Sequence, residues 1–260
     1  MKREEMMVAC CGDLSGKVRG KAFPLAQMEK RLKRGVGWTP TNVQITCFDA
    51  IAESPFGSLG DLVLIPDPST SVSIESEEGA PNENFVIGNI RYTDGRPWEF
   101  CTRSILEAAL SRLQRVAGVT LYGAFEHEFQ IKHLVSEVGG AFTLGGFQKE
   151  RHFCEAIIAG MRTAGVTPDT ILKEFGAGQF EVTMGPQKGV TIADHSVITR
   201  EIVGLVARQL GYDPTFTPIR GPAGVGNGVH VHMSMLDASG NPVTYDPAGK
   251  HELSDVAGKF

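Results

Sequence analysis

The chain has 260 residues, 42% apolar and 21% charged, with a formal net charge of −5. That is enough for one large domain or two smaller ones around a sizeable core. Without a basic run it carries no electrostatic footprint for nucleic acid. No apolar stretch approaches the ~20 residues that span a bilayer, and no signal-like cleavage region follows the opening residues. Five cysteines, Cys10 and Cys11 adjacent and the other three scattered, with no Cys-x-x-Cys pair, fit neither a disulfide framework nor zinc. The expectation is a cytoplasmic protein whose partners are small molecules or other subunits.

In chain order, the first ninety or so residues read as β-rich and poor in helix. Asp13–Gly16 is a turn signal before strand-like Lys17–Phe23, and Leu62–Ile65 is a short strand ended by Pro66 and Pro68. Ser69–Asn84, polar and rich in Ser and Glu, is predicted as loop. Phe85–Tyr92 is predicted as a strand ending at the Asp94-Gly95 turn. The pattern changes near Pro97, which predicts domains over 1–97 and 98–260. Residues 102–117 place Leu106, Ala109, Leu110, Leu113 and Val116 on one helical face, with Gly118 as the stop. A strand over Leu121–Ile131 follows. A second helix begins near Gln148, with Phe153, Ile157, Ile158 and Met161 inward, and leads past Gly165 and Pro168 to a strand bearing Glu174. A third, over 192–210, turns Ile198, Ile202, Val206 and Leu210 inward. It then passes Pro214 and Pro218 to a strand bearing two histidines.

Glu126 and Glu128 stand one residue apart in a strand, so both carboxylates project from one face, where like charges repel. Glu174 and Glu181 flank the Gly-rich segment Phe175–Phe180, and His230 and His232 alternate in Gly228–Met235. Taken singly, these have plain readings: an exposed charged strand, a surface hairpin turned by Gly176 and Gly178, an ordinary His-x-His pair. Together, four carboxylates and two imidazoles on strand-like segments suit Mg²⁺ or Mn²⁺, and that much negative charge suits two ions. His127 falls on the opposite strand face and is read as structural, and Cys10 and Cys11 as buried small residues.

Three segments, Gly123–Phe129, Glu174–Glu181 and Gly226–Ser234, resemble the glutamine synthetase family (type I-like). Asp13–Lys21 and Ile65–Thr70 resemble its amino-terminal β-grasp domain. The resemblance implies an α+β fold: a small β-grasp-like domain, then a catalytic domain with an antiparallel sheet backed by the three helices. It implies ligation of an amine or ammonia to glutamate or a similar acid, using ATP and two Mg²⁺ or Mn²⁺ ions through an acyl phosphate. Glu128, Glu174 and Glu181 match the inner metal site, and Glu126 and His230 match ligands of the second metal. His232 matches a histidine near the γ-phosphate, Ser234 a residue beside the nucleotide, and Gly226 a backbone contact to the amino-acid substrate. Asp49 matches an aspartate offered across a subunit interface to ammonium, in a homo-oligomeric ring.

Departures bear on the substrate. Asp49 is followed by Ala50-Ile51 where ammonia-using members carry Gly-Ser-Ser, Val225 replaces a polar residue, and Phe216–Ile219 lacks a lysine after proline. The chain ends at Lys259-Phe260 in what reads as the opening of a helix. The resemblance implies a further carboxy-terminal part with the second metal's third ligand, the phosphate-binding arginines and a closing flap. The alternative expectation is a non-catalytic family remnant that serves as a metal-binding or assembly module.

Overall fold

The computed structural model describes residues 3–75, 81–134 and 139–260. Its contacts divide the chain into two units, Met1–Arg112 and Leu113–Phe260.

In the first unit, β1 (Met6–Gly12) and β2 (Val18–Pro24) form an antiparallel hairpin. Its turn is tied by the Asp13 carboxylate, which accepts from the backbone N–H groups of Ser15 and Lys17. α1 (Met28–Arg34), β3 (Val36–Trp38), α2 (Thr41–Gln44), β4 (Leu62–Pro66), β5 (Val72–Ile74) and β6 (Glu83–Tyr92) follow. The sheet order is β2-β1-β6-β4-β3, with β1 parallel to β6 and the other pairs antiparallel. The period of two builds the core: Met7, Ala9 and Cys11 from β1 meet Leu62 and Leu64 from β4 and Val86 and Ile90 from β6, with Trp38 and Trp98. Cys10 is buried as well.

The segment predicted as loop over Ser69–Asn84 is only partly so. Val72–Ile74 is β5, paired with Glu83–Phe85 of β6, and Val72 is buried. A three-residue strand is too short to show an alternation, and its stability comes from the neighbour it pairs with. Residues 76–80 of that prediction lie outside the described residues.

α3 (Thr102–Ala117) crosses the division between the units. After it come β7 (Thr120–Ile131), α4 (Leu144–Lys149), α5 (Arg151–Thr163), β8 (Pro168–Lys173), β9 (Gln179–Met184) and β10 (Gln187–Lys188). α6 (Thr191–Gln209), β11 (Pro214–Thr215), β12 (Val229–Leu236) and α7 (Asp255–Lys259) complete the chain. β7 is the central strand of an antiparallel sheet, with β9 and β10 along one side and β12 and β11 along the other, and β8 outside β9. α5 and α6 pack on each other and on this sheet. Phe153, Ile157 and Met161 of α5 and Ile198, Ile202 and Val206 of α6 are buried.

Two helical expectations are corrected. Leu210, predicted on the inner face of α6, is 41% exposed because the helix ends at Gln209. The helix predicted over 102–117 forms, yet none of its residues is buried, and Val116 is 75% exposed. Two helices, not three, therefore bury residues against the sheet. A helical period says which residues share a face, not what covers it.

On the helix side of the sheet, Phe129 and Phe180 face each other across β7 and β9 with centroids 5.8 Å apart, and Phe153 packs on both. His127 shares this side, 2% exposed, with Nε2 2.8 Å from Ser196 Oγ. Burial, with the nearby Arg200 charge, pulls its pKa from 6.5 down to about 4. A histidine with a depressed folded pKa stabilises the fold fully above pH 6.5, and that stability is lost as pH falls towards 4. The loss approaches about 3 kcal/mol. Urea titrations at pH 7 and pH 4.5 are expected to show this loss, and His127→Asn to lack most of it. An equal pH dependence in the variant would assign the loss to other groups. No helix among the described residues is long and apolar enough to cross a membrane.

Candidate metal and nucleotide site

The alternation that sends Phe125, His127 and Phe129 towards the helices sends Glu126 and Glu128 to the other face of β7. Register then does what spacing could not. Glu128 sits directly opposite Glu181 on β9, and Glu126 directly opposite His230 on β12. Directly opposed like charges destabilise a sheet, so the Glu128–Glu181 pair is costly unless a cation neutralises it.

Glu174 arrives from a turn. It follows β8 immediately, and its N–H donates to the Gln179 carbonyl. Buried Lys173 organises the Gly-rich segment from beneath, its ammonium donating to the carbonyls of Glu174 (2.5 Å) and Gly176 (2.8 Å). The Phe175 N–H donates to Glu174 Oε2 at 2.8 Å. As a result, ligand atoms of Glu128, Glu174 and Glu181 lie within 4.8 Å of one another, and so do those of Glu126, Glu181 and His230. Glu181 belongs to both groups. Burial first, then the carboxylates of Glu126, Glu174 and Glu128, hold its pKa above the usual value. A carboxyl crowded this way is relieved by a divalent ion, and the donor set of oxygens plus one imidazole fits Mg²⁺ or Mn²⁺.

Glu126 is flanked by both histidines, with His230 Nδ1 3.2 Å from Oε2 and His232 Nε2 3.1 Å from Oε1. Two glycines make this approach possible. A Cβ on Gly123 would lie 2.2 Å from the His232 carbonyl oxygen and push β12 off β7, and one on Gly228 would lie 2.6 Å from Glu128 Oε1. A cavity of about 420 Å³ opens beside Glu126 and His232, walled by Tyr122, Ala124, Thr183, Met184 and Ser234, with Asp169 also on its lining. Ser234 donates to the Tyr122 carbonyl. Gly226 lies in the loop before β12, its carbonyl accepting from Gln179. The structure thus gathers Glu126, Glu128, Glu174, Glu181, His230 and His232 on one face, with Ser234 on the adjoining cavity.

Asp49 belongs to the other unit, exposed, with φ of 59° in a tight turn. The Thr46 hydroxyl accepts from the N–H groups of Phe48 and Ala50 in that turn. Sequence reasoning missed Lys173, Gln179 and Asp169. Lys173 and Gln179 are polar residues buried at the ends of β8 and β9, and only their hydrogen bonds reveal what they hold.

The family model described as "Glutamine synthetase, catalytic domain" matches residues 99–260, and that described as "Glutamine synthetase N-terminal domain" matches residues 2–98. Among curated relatives, "Type-1 glutamine synthetase 1" of Dictyostelium discoideum is 28% identical over 95% of this chain and 54% of its own length. "Gamma-glutamylpolyamine synthetase GlnA3" of Streptomyces coelicolor is 30% identical over 85% of this chain and 49% of its own. A crystal structure described as a novel glutamine synthase homolog superposes with a TM-score of 0.92 at 39% identity, covering 99% of this chain and 61% of the other. The chain spans about half the length of the curated relatives it matches. Matched by both family models along nearly its whole length, with the family's motifs in order, the chain belongs to the glutamine synthetase family.

Proposed function

We propose that this chain carries the metal and nucleotide part of an ATP-dependent ligase that joins an amine or ammonia to the carboxylate of glutamate or a similar acid. The observation that carries this reading is the pair of ligand groups that share Glu181 beside an open cavity. Glu128, Glu174 and Glu181 would hold one Mg²⁺ or Mn²⁺ ion, and Glu126 and His230, with Glu181 in reach, a second. Bound there, the ions would neutralise phosphate oxygens and let an anionic carboxylate approach the γ-phosphate.

A carboxylate is a poor acyl electrophile, so transfer of the γ-phosphoryl group to it, with release of ADP, installs a leaving group that an amine then displaces. His232 and Ser234 line the cavity where the nucleotide would lie, and the Gly226 backbone would contact the acid. Asp49 is proposed to receive the incoming ammonium or amine across an interface of a homo-oligomeric ring. The polyamine named for the Streptomyces relative, with Ala50-Ile51 beside Asp49 here, supports testing amines larger than ammonia.

The test is ADP release by the purified chain with Mg²⁺ or Mn²⁺, ATP and a panel of acids and amines, run beside Glu128→Ala. Amine-dependent release is expected to fall at least ~100-fold in the variant. No amine-dependent release from a protein that still binds Mn²⁺ through Glu128 would reject ligase activity for this chain and favour a metal-binding or assembly module.

A further inference from the structure

Gln179 stands at the first position of β9, fully buried, and every polar atom of its amide is engaged. Its Oε1 accepts from the Gly176 N–H at 2.8 Å. Its Nε2 faces three acceptors: Gly226 O at 2.7 Å, Glu128 Oε2 at 2.8 Å and Asn227 Oδ1 at 3.0 Å. Asn227 in turn donates to the Thr217 carbonyl at 2.9 Å. One side chain therefore ties the Gly-rich turn, a carboxylate of the candidate metal site and the loop before β12.

The consequence for Glu128 is geometric. An amide N–H on Oε2 takes one of that oxygen's two lone-pair sites and restrains the rotation of the carboxylate. The other oxygen, Oε1, points to the room left by the missing side chain of Gly228. Glu174 is restrained in the same way, its Oε2 taking the Phe175 N–H. Two of the three carboxylates in the Glu128–Glu174–Glu181 group thus have one oxygen held by a protein N–H, with no such bond to the other among the described residues. Single-oxygen ligands suit small octahedral ions that keep several waters, whereas Ca²⁺ takes six to eight oxygens at longer range and can fill that shell by using both oxygens of a carboxylate.

We propose that Gln179 is a positioning residue that confines Glu128 to one-oxygen coordination, so that this group selects Mg²⁺ and Mn²⁺ over Ca²⁺. Through the same amide, ion binding at Glu128 is coupled to the 226–228 loop. The inference rests on the metal reading proposed above and adds the residue that sets its ion preference.

The test uses the full chain and reads binding, not turnover. Mn²⁺ is titrated by electron paramagnetic resonance with and without competing Ca²⁺, for the unaltered protein, Glu128→Ala, Gln179→Met and Gln179→Glu. Gln179→Met removes donor and acceptor at similar size without adding charge; Gln179→Glu keeps the acceptor for Gly176 and replaces the donor with a carboxylate oxygen that repels Glu128. In both, Ca²⁺ is expected to gain on Mn²⁺ by on the order of tenfold. A merely structural role would weaken both ions alike and leave their ratio unchanged. Infrared difference spectra of the unaltered protein with Mg²⁺ are expected to show the wide carboxylate splitting of one-oxygen ligands, so the proposal can be read even if a variant fails to fold. Glu128-dependent Mn²⁺ binding with an unchanged ratio, or two-oxygen bands in the unaltered protein, would overturn the assignment to Gln179. Mn²⁺ binding indifferent to Glu128→Ala, or none, would overturn the metal reading itself and the inference with it.

Discussion

Glu181→Gln is expected to abolish both Mn²⁺ equivalents, with a loss in affinity of at least ~100-fold at each. Among the described residues, Glu181 is the only carboxylate that belongs to both ligand groups. Glu174→Gln removes a donor from one group alone, and Glu126→Gln from the other, so each of those is expected to leave one equivalent. The metal-free protein should respond in the opposite sense. Burial and three neighbouring carboxylates hold the Glu181 pKa above its ordinary 4.5, so the fold favours the protonated form. That contribution is fully present below pH 4.5 and is lost as pH rises through the raised folded value. Gln at this position carries no charge, so the metal-free variant should be more stable than the parent above that window and alike below it. Thermal melts across pH, with and without Mn²⁺, read both effects. Two Mn²⁺ equivalents persisting in Glu181→Gln would dissolve the shared-ligand arrangement.

Phe129→Ala is expected to destabilise the fold by about 3–5 kcal/mol, the range for truncating a fully buried phenylalanine. Phe129 is 0% exposed and touches Phe153, Phe180 and Phe216 at centroid distances of 5.5 to 6.2 Å. The site should feel the loss, because Phe129 and Phe180 face each other one residue along from Glu128 and Glu181. The aromatic pair holds β7 against β9 from beneath while the carboxylates repel from above. Urea unfolding gives the stability change, and Mn²⁺ affinity measured well below the unfolding midpoint gives the coupling. Phe129→Leu, which keeps most of the apolar volume, should lose less of both. Unchanged stability in Phe129→Ala would show that the two strands are held elsewhere.

Part of this site is legible by eye. A strand places alternate residues on one face, so Glu126 with Glu128, and His230 with His232, were bound to project together once those segments were read as strands. The helical faces of α5 and α6 were legible for the same reason, since Phe153, Ile157 and Met161 repeat at helical spacing. The same reasoning misplaced Leu210 and gave α3 a covering it does not have. It also left β5 as loop, because three residues carry no measurable period.

By itself the sequence determined what each short segment is: its period, its stops at glycine and proline, the face each side chain shares with its neighbours, and the family motifs. Those properties are written within a few residues of one another. Only the tertiary structure decided which segments meet. It set Glu128 against Glu181 and Glu126 against His230, made Glu181 common to both groups, and tied the Gln179 amide to Glu128, 51 residues before it, and to Gly226, 47 residues after it. Strand register and buried hydrogen bonds join residues far apart in sequence, and they are settled by core packing such as Phe129 on Phe180 rather than by local preference.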